Sequence, residues 1–164
     1  MRKTVCSLAT IACLAVFAAS PAFGVNKETL QMMQQLDTLQ QMMQNLVGIV
    51  RAEREMCDAL DGLAGLKARA SHAAVSGHRE YNPGWHTALD LRHLLTVSEA
   101  ITRSALERKE SRGGHFREDF PQKDPSYATF NIVSRKGTDG SMEVARVPIP
   151  QMPAELKQVI DEEK

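Results

Sequence analysis

Five histidines and three cysteines are the side chains of this chain best suited to metal or redox chemistry, and their spacing points to neither. His72, His78, His86, His93 and His115 are separated by 6, 8, 7 and 22 positions. On a helix His86 and His93 stand two turns apart, roughly 10 Å by the rise per residue. That is too far to chelate one ion, and no cysteine or carboxylate cluster completes a zinc geometry. Cys6 and Cys13 lie in an apolar N-terminal run, which leaves Cys57 with no base beside it in sequence. A lone thiol on a helix is expected as a small buried apolar group. Asp90 and Glu99 are not placed as an acid–base pair. No GxGxxG occurs, so no phosphate-cradling turn for a dinucleotide is expected. The expectation is a chain with no catalytic, metal-binding or cofactor-binding residue of its own.

Ionisable groups do concentrate in one run, Ala105–Pro121 (ALERKESRGGHFREDFP). Arg103, Glu107, Arg108, Lys109 and Glu110 close a helical pattern with charge. Ser111-Arg112-Gly113-Gly114 is predicted to break it, both glycines supplying left-handed conformations at the helix end. His115, Arg117, Glu118 and Asp119 follow between Phe116 and Phe120, and Pro121 blocks any restart. Charges interleaved with aromatics suit a segment pinned to another surface by ion pairs. Ordinary capping and surface pairing at a helix end is the competing account.

The elements that would position this run are helical. Met32, Leu36, Leu39, Met43, Leu46 and Val50 alternate by four and three, a heptad seam between glutamines. With fewer than three full heptads it reads as one member of an intrachain bundle. A second helix is predicted from about Ala52 to Ala73, with Met56, Leu60, Leu63, Leu66 and Ala70 on one face. Gly62 and Gly65 weaken it by roughly 1 kcal/mol each, or allow close helix approach. Asn82-Pro83 is a start signal, N-cap then first helical position, for a third helix reaching about Lys109. Its apolar residues, Trp85, Ala88, Leu89, Leu91, Leu94, Leu95, Val97, Ile101 and Ala105, lie on more than one side, which marks it as the central helix. Past the charged run the period changes. Thr129–Ser134 and Ser141–Val147 alternate as strands around Asp139-Gly140, a hairpin signal. A proline-punctuated strap, Val147–Pro153, leads to a short helix from Ala154 to about Glu163.

At the N-terminus, Arg2 and Lys3 precede the apolar run Leu8–Ala19, with small-residue sites at Ser20–Ala22 or Ala22–Gly24. This reads as a secretory signal, too short for a typical spanning helix. Lys+Arg and Asp+Glu stand at 20 each. Removing residues 1–24 leaves 18 basic residues against 20 acidic, and nothing argues for nucleic acid as a partner. Only Cys57 would remain, so no internal disulfide is expected.

The charged run carries a resemblance. Glu110-Ser111-Arg112-Gly113-Gly114-His115, then Arg117, Asp119 and Pro121, resembles the ESRGxHxRxDxP signature in the C-terminal helical domain of succinate dehydrogenase and fumarate reductase flavoprotein subunits. L-aspartate oxidase belongs to the same family. Leu39–Arg51 is similar to the family's first helix in that domain, Tyr81–Glu99 to its long third helix, and Asn131–Lys164 to the hairpin and PxPxMPxEL tail of some bacterial members. In the resembled enzymes an N-terminal domain binds FAD and a capping domain closes over the dicarboxylate. Hydride passes between the C2–C3 bond of succinate or fumarate and flavin N5. The family's substrate ligands and flavin attachment lie outside the matched region. The resemblance therefore implies a domain-docking role only for Glu110, Ser111, Arg112, Gly113, His115, Arg117, Asp119 and Pro121.

The expected fold is mainly α: an antiparallel, spectrin-like three-helix bundle, a charged loop, a β-hairpin and a short C-terminal helix. Residues 1–24 are the signal-like segment, 25–38 a helical lead-in outside the resemblance, 39–121 the bundle with its signature, and 122–164 the hairpin, strap and terminal helix. The loop and hairpin are expected to be the least stable parts. Three functional readings follow. The first is a non-catalytic C-terminal domain of the flavoprotein, without its FAD-binding and capping domains, whose partners are that flavoprotein core and the iron–sulfur subunit. The second is an exported helical interaction module, which self-association of the mature chain would favour. The third is a subunit that finds its flavin domain on another chain. The signal, where used, implies export to the periplasm; otherwise the family complex implies the cytoplasmic face of the membrane.

Overall fold

A computed structural model describes residues 26–162. The signal-like segment lies outside them. Helix α1 (Lys27–Leu46) begins at Asn26, whose side chain accepts from the Thr29 N–H at 2.9 Å. Met32 and Leu39 are buried along it, with Leu36, Met42 and Met43 packed beside them. The predicted seam does not run to its end. Val47 caps the helix through Met43 O, and a Cβ on Gly48 would lie 2.9 Å from Gln44 O. Val50 therefore leaves the helix, in a two-residue strand β1 (Val50–Arg51), and is 53% exposed.

Helix α2 (Glu53–Ser71) buries Met56, Ala59, Leu63, Leu66 and Ala70. A Cβ on Gly62 would stand 2.5 Å from Met42 Sδ, so the absent side chain lets α1 and α2 close on each other, whereas the space beside Gly65 is open. Cys57 is exposed, not buried as expected. One residue past Met56 is a turn of about 100° around the helix, which carries it from core to solvent.

Helix α3 (Pro83–Glu107) starts as predicted, with the Asn82 side chain accepting from the Gly84 N–H. Gly84 sits where a Cβ would meet Thr29 Oγ1, which seats the start of α3 against the start of α1. Its buried face is Gly84, Leu91, Leu95, Ser98, Thr102 and Ala105. α3 packs on α1, α2 and the hairpin, so it is the central helix. Leu94, Val97 and Ile101, however, face solvent in one stripe. The core joins Met32, Leu39, Leu63, Leu66, Ala70, Leu91 and Leu95, and each fully buried leucine contributes about 1.5–3 kcal/mol by leaving water.

Past α3 come strand β2 (Phe116–Arg117), a 3-10 turn (Pro125–Ala128) and the antiparallel hairpin of β3 (Phe130–Lys136) and β4 (Met142–Pro148). Gly140, at φ +85°, supplies the left-handed residue of the hairpin turn, and Asp139 accepts from the Ser141 N–H. The hairpin lies on α3 through Ser134–Ser104 at 3.0 Å and Arg146–Glu107 at 2.6 Å. Helix α4 (Ala154–Glu162) has no buried residue. Among the described residues no helix is long and apolar enough to cross a membrane.

Candidate functional site

The charged run folds back on the bundle and ties three segments together. Helix α3 ends at Glu107, with Arg108 extended at φ −85°, ψ 100°. The glycines predicted to break it therefore come too late, and side chains cap it instead. Arg117 Nη1 donates to Ala105 O at 3.1 Å, Leu106 O at 3.3 Å and Arg108 O at 3.4 Å. The Tyr127 hydroxyl donates to Glu107 O at 3.1 Å and accepts from the Lys109 N–H at 3.0 Å. The terminal carbonyls of a helix have no partner within it, and here a cation and a phenol answer them.

Arg117 is fully buried. Its Nε and Nη2 fork onto Asp119 at 2.7 and 2.5 Å, and Nη2 also lies 3.3 Å from Glu53 Oε2 in the first turn of α2. A planar guanidinium facing a carboxylate is the strong, bidentate form of this bond. The same contact holds the Asp119 carboxyl below its ordinary range and raises Arg117. The buried Glu110 carboxylate accepts from Arg112 Nε at 2.8 Å and Nη2 at 3.0 Å, from Arg108 Nη1 at 2.5 Å, and from the Asp124 N–H at 2.9 Å. These donors, Arg112 first, push its pKa down to about 2. The buried Ser111 hydroxyl accepts from the Arg117 N–H at 2.9 Å and donates to Phe120 O at 2.9 Å.

Arg112 and His115 exchange backbone hydrogen bonds across Gly113-Gly114. Only Gly113, at φ +59°, takes the left-handed conformation, so one glycine and not two is needed there. Beyond the turn, β2 pairs in parallel with β1, Phe116 N–H to Ile49 O and Glu118 N–H to Arg51 O. His115 Nδ1 lies 2.5 Å from Arg51 Nη1 and Nε2 lies 3.2 Å from Arg108 O. Arginine only donates, so Nδ1 accepts and Nε2 carries the proton, which assigns the neutral tautomer. Burial pushes the His115 pKa down, and the cations Arg51, Arg117 and Arg108 add to it against the pull of the Arg108 carbonyl.

The structure thus brings together Glu110, Ser111, Arg112, Gly113, His115, Arg117 and Asp119, with Pro121 exposed at the rim. The loop expected to be among the least stable parts buries Glu110, Ser111 and Arg117, each hydrogen-bonded within the chain. Sequence reasoning missed Arg51, Glu53, Asp124 and Tyr127. Asp124-Pro125 had a readable signal, a cap followed by a proline, and Asp124 does accept from the Ser126 N–H. Arg51 meets His115 from 64 residues away and left no local sign. The other histidines stand apart, His72 beside Ala68 O at the end of α2, His78 in the connector, and His86 and His93 exposed on α3. Both His115 nitrogens and the carboxylates of Glu110 and Asp119 are held in internal bonds, so what this cluster does chemically is fix segments in place.

The fold and the cluster define a helical domain of a flavoprotein class. The family described as fumarate reductase flavoprotein C-terminus matches residues 36–159, and the chain belongs to it. It is 34% identical over 85 residues to the fumarate reductase flavoprotein subunit of Mycobacterium tuberculosis, covering 51% of this chain and 15% of that subunit. It is 47% identical over 51 residues to L-aspartate oxidase of Bacillus subtilis, covering 30% of this chain and 10% of the oxidase. Among solved structures, the Mycobacterium smegmatis Sdh1 complex in the apo form is similar over 92% of this chain and 27% of that one, with 35% identity and TM-score 0.67. The chain therefore spans well under a third of the lengths of these relatives. Escherichia coli quinol fumarate reductase, at 23% identity and TM-score 0.58, shares the fold.

Proposed function

We propose that this domain serves a succinate dehydrogenase/fumarate reductase-type flavoprotein as the buttress of its flavin-binding part, and supplies no reacting group. FAD, the group such an enzyme uses to take or give hydride at the C2–C3 bond, belongs to that other part. Its further partner in the complete enzyme is the iron–sulfur subunit. The observation that carries this reading is the family match running across a signature that buries the charged groups of Glu110 and Arg117 in ion pairs of the chain's own. The signature's share in docking is indirect. By clamping the end of α3 to β1 and to the start of α2, it holds one rigid shape for a partner to pack against.

The test mixes the full chain with the flavin-binding and capping part of the Mycobacterium smegmatis flavoprotein, cut before its own helical domain. The reading expects the flavin absorbance to co-elute with this chain on size exclusion, and succinate-dependent dye reduction to require the flavin part. Separate elution at micromolar concentrations, or dye reduction by this chain alone, overturns it.

A further inference from the structure

Of the groups in the charged cluster, only His115 changes charge near neutral pH by its nature, and it stands where two segments meet. Its Nδ1 accepts from Arg51 Nη1 in β1, and its Nε2 donates to Arg108 O just past α3. Beside the ring, two backbone bonds join β2 to β1, Phe116 N–H to Ile49 O at 3.1 Å and Glu118 N–H to Arg51 O at 3.0 Å. A two-stranded pairing has little stability of its own, so the side-chain bond across this joint carries much of it.

A second proton on the imidazole has one place to go, Nδ1. There it sets a donor against the donor of Arg51. The charged groups that face the ring are cations: Arg51 from β1, Arg117 from β2 and Arg108 from the end of α3. The carboxylates of the cluster are engaged elsewhere, Glu110 by Arg108 and Arg112, and Asp119 and Glu53 by Arg117. None of them bonds the ring among the described residues. An imidazolium at this place is repelled by three guanidinium groups, and departure of β1 takes Arg51 away from it. β2 stays behind, because Arg117 remains bonded to Asp119, to Glu53 and to the last carbonyls of α3.

We propose that His115 is a pH-operated latch on the link between α1 and α2: its protonation releases residues 48–51 from β2 while the three helices stay packed. The latch goes beyond the buttress reading and stands without it.

Amide hydrogen exchange of the full chain, read by NMR at about pH 7.5 and about pH 5 and corrected for the intrinsic pH dependence of exchange, tests it. At the lower pH the protection of the Phe116 and Glu118 amides should fall, by up to about thirtyfold if the released ring titrates at its ordinary 6.5. It should then lie well below that of the Leu63 and Leu95 amides, with helical dichroism unchanged. His115→Gln, which does not titrate, should show the same protection at both pH values. Unchanged protection in the natural chain, a fall that dichroism shares, or the same fall in His115→Gln overturns the proposal. Where that variant does not fold, the ring of the natural chain decides by its own 1H–15N spectrum. The Nε2–H tautomer is expected at about pH 7.5, with the second proton arriving over the range in which the two amides lose protection. A Nδ1–H tautomer, or a ring that titrates as a free histidine does, overturns it.

Discussion

Replacing Arg117 with methionine keeps most of the side chain's length and removes its charge and donors. In the folded chain this strips the donor from Ala105, Leu106 and Arg108 carbonyls and from Asp119 and Glu53. Breaking a buried ion pair from one side costs about 3–5 kcal/mol. Asp119 and Glu53 keep 31% and 54% of their side-chain exposure, so water recovers part of their loss and the lower end applies. The carbonyl of the buried Ala105 is less forgiving, at about 1–3 kcal/mol for an acceptor left bare. The net expectation is a destabilisation of about 3 kcal/mol. For a domain of this size each kcal/mol moves the melting temperature by roughly 3–4 °C, so Arg117→Met should melt about 10 °C lower when followed by helical dichroism. Arg117→Lys keeps a charge but not the fork, and should fall between the two. A shift below about 3 °C for the methionine variant would refute the claim that Arg117 caps α3 and clamps it to α2. It would return the residue to a docking role alone.

Acid should unfold the chain in two stages. The folded chain holds His115 below its ordinary 6.5, so its contribution is complete above that value and declines as the pH falls below it. Glu110, held at about 2 against 4.5, contributes fully above 4.5 and loses that contribution as the pH falls from there toward 2. Urea midpoints across this range should show both steps, and His115→Gln should remove the upper one. Gly113→Ala should cost about 1 kcal/mol or more because the position is left-handed, while Gly114→Ala, with no such φ and open space at its Cβ, should be near neutral; chemical denaturation separates them. Tyr127→Phe removes the partner of the Glu107 carbonyl and the Lys109 N–H, and should cost roughly 1–3 kcal/mol in the same assay.

What was legible in the sequence is what local physics writes there. Asn82-Pro83 marked the start of α3 because a cap and a fixed φ act within two residues, and Asp139-Gly140 marked the hairpin turn for the same reason. The apolar periods found the faces of α1 and α2 almost residue for residue. Period alone failed where geometry turned: Val50 continues the heptad count but sits past Gly48, after the helix has ended. Leu94, Val97 and Ile101 were counted among the apolar residues that mark α3 as central, yet α3 presents them to solvent, and hydrophobicity does not fix burial in one direction.

The end of α3 was misread for a deeper reason. A helix end looks for its cap nearby, so the two glycines seemed to supply it. The actual cap is the side chain of Arg117, ten residues past the last helical one and held in place by Asp119 and by β1 from before the second helix. A parallel pairing of two residues with partners 66 positions away, Val50 with Phe116 and Arg51 with Arg117, leaves no periodic trace at all. Of the run's charges, Arg117 is spent on Glu53 of α2 and on the last carbonyls of α3, and Glu110 on Arg108 and Arg112. Arg51, which nothing in the sequence singled out, is bonded to Gly48 O and His115 and to no carboxylate among the described residues. Residues that make the loop look like an interface, Glu110, Arg112 and Arg117 among them, are those that hold it in place.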